Sequence, residues 1–270
     1  MKSKGKNSLL ALVFLLLFTG SLLGVIRERG AASILKKNSC EGERFREQHL
    51  KTEIYEQIEK ETKQGGDFCE ILTTTMLHGD FYPEKMYTDS SAYRKYKPEA
   101  FFSLMQSYAA VWQDVECFPI PAGNISYEDT FGEPRGESNE RLHEGTDLFG
   151  RVEKSGYYPV LSMTDGIVEK IGWLPLGGYR IGIRTPAGAY YYYAHLSEYE
   201  KDFQIGEKVQ AGDILGFMGD TGYGEEGTVG AFPVHLHLGI YICTANFEEL
   251  SVNPYWILKA AQKKIRKYTY

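Results

Sequence analysis

Apolar and polar positions along the chain follow three successive patterns. From residue 9 to residue 26 the sequence is apolar except at Thr19, Gly20, Ser21 and Gly24, an 18-residue run behind Lys2, Lys4 and Lys6. Such a length just spans a bilayer and exceeds the usual core of a signal peptide, about 7–15 residues. Residues 1–30 therefore read as an uncleaved membrane anchor, with a signal peptide cut near Gly30-Ala31-Ala32-Ser33 as the alternative. Arg27, Arg29, Lys36 and Lys37 balance the lysines at the other end, so charge does not orient the segment.

Helical periodicity follows. Leu50, Ile54 and Ile58 recur every four residues in a charge-rich stretch that Gly65-Gly66 ends, predicting an amphipathic helix over 41–64. Asp67 and Glu70 fit a capping box ahead of Phe68, Ile71, Leu72, Thr75 and Met76, with Gly79 as the stop. Pro98 opens a third helix, 99–112, with Phe101, Leu104, Met105, Tyr108 and Trp112 on one face. These helices predict a small helical domain within 31–115, whose role is unreadable and which leaves room for a protein partner. His78 and Asp80 read as a solvated helix end, not as metal ligands.

After Pro119 and Pro121 the period changes to that of strands. Short apolar or alternating runs at 160–162, 166–171, 179–184, 189–194, 214–218 and 234–242 are separated by Gly, Asn, Asp and Pro. The fold class expected is thus mainly β, an antiparallel sheet preceded by helices. Glycine-rich stretches at 172–178 and 219–230 read as the walls of a binding groove. Asn253-Pro254 starts a basic helix to the end of the chain, either solvated or touching anionic polymer or lipid.

Composition narrows this picture only a little. A net charge of −6 argues against a nucleic-acid partner. Cys40, Cys69, Cys117 and Cys243 include no Cys-x-x-Cys and read either as isolated buried thiols or, outside a membrane, as disulfides.

The candidate chemistry lies in the β half, which holds four of the six histidines. In a strand, His235 and His237 share one face while Val234, Leu236, Leu238 and Ile240 share the other. His143 and Asp147 stand four apart, but Gly145 and Thr146 disfavour a helix, so the pair is expected on a loop running into a strand. Catalytic Zn²⁺ takes three nitrogen or oxygen ligands and keeps a fourth position open, and His143, Asp147 and His237 could supply that set.

The order His143-x3-Asp147, then Tyr193-Ala194-His195-Leu196, then His235-x-His237 resembles the M23 zinc metallopeptidases of the lysostaphin and LytM type. Asp129-Thr130-Phe131-Gly132, Thr164-Asp165-Gly166, Val209-Gln210-Ala211-Gly212-Asp213 and Gly219-Asp220-Thr221-Gly222 extend the resemblance over about 118–256. It implies a peptidase domain over 116–256 with a basic tail at 257–270, zinc as cofactor, and hydrolysis of peptides in bacterial peptidoglycan. It also implies that His195 and His235 are the catalytic, non-ligand histidines. A wall substrate would place this domain outside the membrane. The alternative is a membrane-anchored zinc scaffold that binds wall peptide or a partner without cutting. Glu225 and Glu226 would either meet a substrate amine or keep their loop solvated.

Overall fold

The computed structural model describes residues 2–135 and 141–268, with side chains from residue 12 onward except Ala31. Six helices precede the sheet: α1 (Lys2–Ala32), α2 (Glu43–Arg46), α3 (Thr52–Lys63), α4 (Phe68–His78), α5 (Ser91–Tyr96) and α6 (Pro98–Trp112). The helix expected over 41–64 is broken. Gln48 takes a left-handed φ of 49°, and the chain turns there between α2 and α3. Its buried side chain explains the break: Trp112 Nε1 donates to Gln48 Oε1 at 2.7 Å, and Gln48 Nε2 donates to the Phe45 carbonyl at 2.7 Å. Leu50, Ile54 and Ile58 are still buried together. Asp67 caps α4 by accepting from the Glu70 N–H at 2.8 Å, but Glu70 turns to Arg94 and Ser90 instead of closing a capping box.

Each expected strand run overlaps a strand, but Ser162, Ala189, Val234 and His235 fall outside, and His235 makes only an isolated bridge with Gly219. The strands are β1 (Ile125–Ser126), β2 (Pro134–Arg135), β3 (Arg141–Leu142), β4 (Thr146–Gly150), β5 (Pro159–Leu161) and β6 (Gly166–Leu174). Then come β7 (Gly178–Arg184), β8 (Tyr190–Tyr199), β9 (Lys208–Val209), β10 (Ile214–Met218), β11 (Leu236–Ile242) and β12 (Leu250–Val252). Among the described residues the main sheet runs β1-β4-β11-β8-β7-β6-β9, with β10 joining β8 to β5 and β12 on β11, and β2-β3 stands apart as a hairpin. The pairs of the main sheet are antiparallel.

Side-chain alternation along β8 defines the two faces. Tyr191 and Tyr193 are fully buried on one. Tyr191 Oη donates to the Val111 carbonyl at the end of α6 at 2.7 Å, and the Met163 N–H donates to Tyr193 Oη at 2.9 Å. Tyr190 and Tyr192 face the other way, into a groove. Helices and sheet share one apolar cluster that runs from Leu35 and Phe45 through Tyr108 and Trp112 to Tyr191, Leu238 and Ile257. The helices therefore brace the sheet from behind and leave the opposite face open.

The chain's end departs from expectation. Helix α7 (Tyr255–Ala261) is followed by a 3-10 turn, Gln262–Lys264, and does not continue; residues 269–270 of the expected helix lie outside the described residues. Two of its basic residues are tied to α3. Lys264 sits 2.9 Å from Tyr55 Oη and 3.0 Å from Glu59, and Lys263 pairs with Glu56, all on α3. The four cysteines are free, three of them buried, as isolated thiols would be. At the other end α1 docks by Glu28, which accepts from Lys95 at 3.0 Å and Tyr96 at 3.2 Å, while Leu15, Leu16, Leu17 and Phe18 are exposed. Among the described residues no helix is long and apolar enough to cross a membrane.

Candidate metal centre and active-site groove

Strand pairing brings the sequence-separated residues together. His237 lies opposite Asp147 in the β11–β4 register and opposite Ala194 in the β11–β8 register. His143 stands on the loop before β4, as its glycine neighbour predicted. Three donor atoms then face one another: His143 Nε2 is 3.1 Å from Asp147 Oδ1 and 3.1 Å from His237 Nδ1, and His237 Nδ1 is 2.9 Å from Asp147 Oδ1. Zinc bonds of about 2.0–2.1 Å in a tetrahedron need donors roughly 3.3 Å apart, so two imidazoles and a carboxylate at these separations fit the ion. Gly145 makes the approach possible, because a Cβ there would lie 2.6 and 2.7 Å from Cε1 and Nε2 of His237.

Outer contacts orient the donors. Asp147 presents Oδ1 inward while its Oδ2 accepts from Arg135 Nη2 at 2.9 Å. His143 Nδ1 lies 2.9 Å from Thr130 Oγ1, 3.2 Å from the Thr130 carbonyl and 2.7 Å from Arg135 Nη2. Arginine only donates, so that last contact needs a bare Nδ1, whereas metal binding through Nε2 needs Nδ1–H. With a metal bound, His143 therefore donates to Thr130, and Arg135 keeps only Asp147. Burial works to raise the Asp147 pKa, but the hydrogen bonds with His143 and His237 outweigh it and hold the carboxyl well below the usual range.

The two remaining histidines flank this cluster. His195 Nδ1 lies 2.8 Å from the Thr221 carbonyl and His235 Nδ1 lies 2.7 Å from the Pro233 carbonyl, so each ring donates outward and keeps its lone pair on Nε2. His235 Nε2 is 3.7 Å from Asp147 Oδ1, and the two rings are 4.7 Å apart. Burial, then the neighbouring His235 and His237, pushes the His195 pKa down to about 3. Burial likewise lowers that of His235.

Strict alternation would turn His195 into the core beside Tyr191 and Tyr193. A bulge prevents this. On β7, Ile181 pairs with Tyr193 and Tyr179 with Leu196, so Arg180 alone opposes both Ala194 and His195. His195 takes a φ of 62°, a conformation costing a non-glycine residue of order 1–3 kcal/mol, and its ring swings to the groove. Thr221 fixes the arrangement: its Oγ1 donates to the Leu196 carbonyl at 2.7 Å and accepts from the Tyr179 N–H at 3.1 Å.

The groove around these residues has a volume of about 610 Å³. Leu174, Leu176 and Gly177 form one wall and Tyr223, Ala231 and Phe232 another, so both glycine-rich stretches contribute. Glu225 and Glu226 do not line it, and Glu226 instead accepts from Tyr179 Oη at 3.4 Å. No described residue of 31–115 lines it either. His78 stacks on Tyr87, and Asp80 pairs with Arg44, as befits a structural helix end. Sequence reasoning missed Arg135 and Arg180, which carry no motif.

The profile of peptidase family M23 matches residues 141–254, the span holding all five candidate site residues. A solved Ruminococcus gnavus structure, described as that of a candidate glycyl-glycine endopeptidase lytM, is 40% identical with a TM-score of 0.76 and covers 89% of this chain and 98% of its own. The chain belongs to peptidase family M23. The match to that structure takes in helices as well as the sheet. The L-Ala–D-Glu endopeptidase of Bacillus subtilis is 39% identical over 164 residues, and the glycyl-glycine endopeptidase ALE-1 of Staphylococcus capitis is 36% identical over 83. These matches cover 60% and 30% of this chain. The chain spans about half the length of the first (49%) and about a fifth of the second (21%).

Proposed function

We propose that this M23 member is a zinc-dependent endopeptidase that hydrolyses stem peptides or cross-links of bacterial peptidoglycan. The observation carrying this reading is the meeting of His143 Nε2, Asp147 Oδ1 and His237 Nδ1 within 2.9–3.1 Å, with two further histidines beside them. A Zn²⁺ ion held by those three residues would supply a Lewis acid and a water whose pKa is lowered to about 7. His195 and His235 each keep a lone pair on Nε2, so one Nε2 is assigned the proton of the attacking water, and that same proton is then passed to the departing amine. Such general acid–base help contributes typically about 10²–10⁴-fold. The relative named for the L-Ala–D-Glu bond supports a stem peptide, and the two named as glycyl-glycine endopeptidases support a glycine bridge.

We also propose that α1 attaches the chain to a membrane, with the peptidase groove on the extracytoplasmic side. Support comes from the exposure of Leu15, Leu16, Leu17, Phe18, Leu22 and Leu23, whose apolar side chains have no packing role in the protein. The apolar run continues back to residue 9, beyond the described side chains. The helices of 31–115 are proposed to stiffen the back of the sheet.

The test is to incubate the full chain with peptidoglycan, with and without a chelator, and to measure newly freed amino groups. Release that the chelator stops and zinc restores supports the reading, and the new amino terminus names the bond. Tight zinc binding without release from several wall types would sink it.

A further inference from the structure

We propose that Arg180 makes the groove selective for a peptide carrying a free carboxylate next to the bond that is cut. This rests on the endopeptidase reading and adds a substrate class to it. Arg180 lines the groove, yet its Nε and Nη1 are buried and have no hydrogen-bond partner among the described residues. These N–H groups are closed to solvent and leave the cation uncompensated, and burying an uncompensated charge is costly.

Among the described residues no carboxylate pairs with Arg180. Glu249 pairs with Lys170, Asp147 is held by Arg135 and the histidines, and Glu144 accepts from Ser251 Oγ at 3.3 Å. Nor can the nearby tyrosines become anions. Burial pushes the Tyr192 pKa up to about 12 and raises those of Tyr190 and Tyr241 as well. They remain neutral hydroxyl donors beside the guanidinium. An incoming carboxylate would pair with the part of the guanidinium that lines the groove and supply the charge that no described residue supplies.

Position ties this cation to the reacting bond. Arg180 is the residue opposite the Ala194–His195 bulge, and Ala194 pairs with His237. Arg180 thus lies two strand spacings, about 10 Å, from the His237 backbone, and its side chain shortens the gap. An extended peptide advances about 3.3 Å per residue, so the recognised carboxylate belongs to a residue at or adjacent to the cut bond. A glycine bridge has nothing to offer there, whereas an acidic residue such as D-Glu or a free peptide terminus does.

The experiment uses the zinc-loaded full chain and one short L-Ala–D-Glu-containing peptide in three forms: free acid at the glutamate with an amidated terminus, amidated glutamate with a free terminus, and both amidated. The expected wild-type kcat/KM for one carboxylate form is at least tenfold above that for the doubly amidated form, and which form wins names the source. In R180Q this ratio falls to within about threefold, and R180K recovers part of it. A wild type without preference, or an R180Q that slows all three forms by one factor and so keeps the ratio, overturns the proposal. Should wild type cut none of them, the endopeptidase reading fails. The proposal is then judged by calorimetric binding of the same peptides to wild type and R180Q, where a carboxylate preference lost in R180Q upholds it and equal affinities overturn it.

Discussion

Replacing Gly145 with alanine tests whether the donor triangle depends on a backbone approach that only glycine permits. Gly145 does not need a left-handed φ, so alanine meets no conformational penalty and only space decides. The added Cβ would lie 2.6 and 2.7 Å from two atoms of the His237 ring, and closer still to the Leu238 carbonyl oxygen. Carbon atoms in ordinary contact sit about 3.5 Å apart, so ring and loop must separate by roughly 0.9 Å. The ring cannot absorb that shift alone, because the carbonyl belongs to β11, which pairs with β4 at Leu238 and Thr146. His143 on the loop and Asp147 at the start of β4 flank Gly145, so displacing it opens two sides of the triangle. Disturbing groups that orient metal ligands typically costs about 10–100-fold in affinity, and overpacking costs about 1–3 kcal/mol of stability. Gly145→Ala should therefore bind zinc at least tenfold more weakly in competition with a chromophoric chelator, and it should unfold at lower denaturant. Gly123→Ala, where a Cβ meets nothing within 4 Å, is the control and should change neither. Wild-type zinc affinity and unchanged stability in Gly145→Ala would refute the reasoning.

Other perturbations separate the roles further. His237→Ala should lose bound zinc and activity together, whereas His195→Ala should keep zinc by elemental analysis and lose at least about a hundredfold in rate; zinc loss in His195→Ala with retention in His143→Ala would reverse the assignment. Gln48→Leu strips the buried Trp112 N–H of its partner, while the Phe45 carbonyl keeps the backbone N–H of residue 48 at 3.1 Å, so one unsatisfied group should lower the unfolding free energy by about 1–3 kcal/mol in urea titration. A loss below about 0.5 kcal/mol would show that the turn does not rely on that side chain. The Arg94 guanidinium, with Ser90 beside it, lowers the Glu70 pKa from 4.5. A carboxylate with a depressed folded pKa stabilises above its unfolded value and loses that contribution as pH falls through the folded one. The difference in melting temperature between wild type and Glu70→Gln should thus be full at pH 7 and shrink below about pH 4.5; a difference independent of pH would contradict the pairing.

What could be read ahead of the structure, and what could not, divides by the distance over which each signal acts. The runs at 166–171, 179–184 and 214–218 are long enough to show a pattern, and they form β6, β7 and β10. Strands of two residues such as β1, β3 and β9 are too short to carry a period, and only pairing with a longer neighbour defines them. The break in the 41–64 helix was hidden for a related reason. Its cause is Trp112, 64 residues further on, which captures the side chain of Gln48. The zinc triad was legible because residue type and order suffice to suggest it. Arg135 and Arg180 were not, because an arginine's meaning lies in which anions surround it.

His195 shows how a local irregularity can contain the function. Its place in Tyr193-Ala194-His195 predicts a groove-facing ring only through family resemblance, since alternation from Tyr191 and Tyr193 points it into the core. The protein resolves the conflict with one extra residue in β8, and the strain of His195's left-handed backbone is held by Thr221 on one side and by the Gly177 carbonyl, which accepts from the His195 N–H at 2.8 Å, on the other.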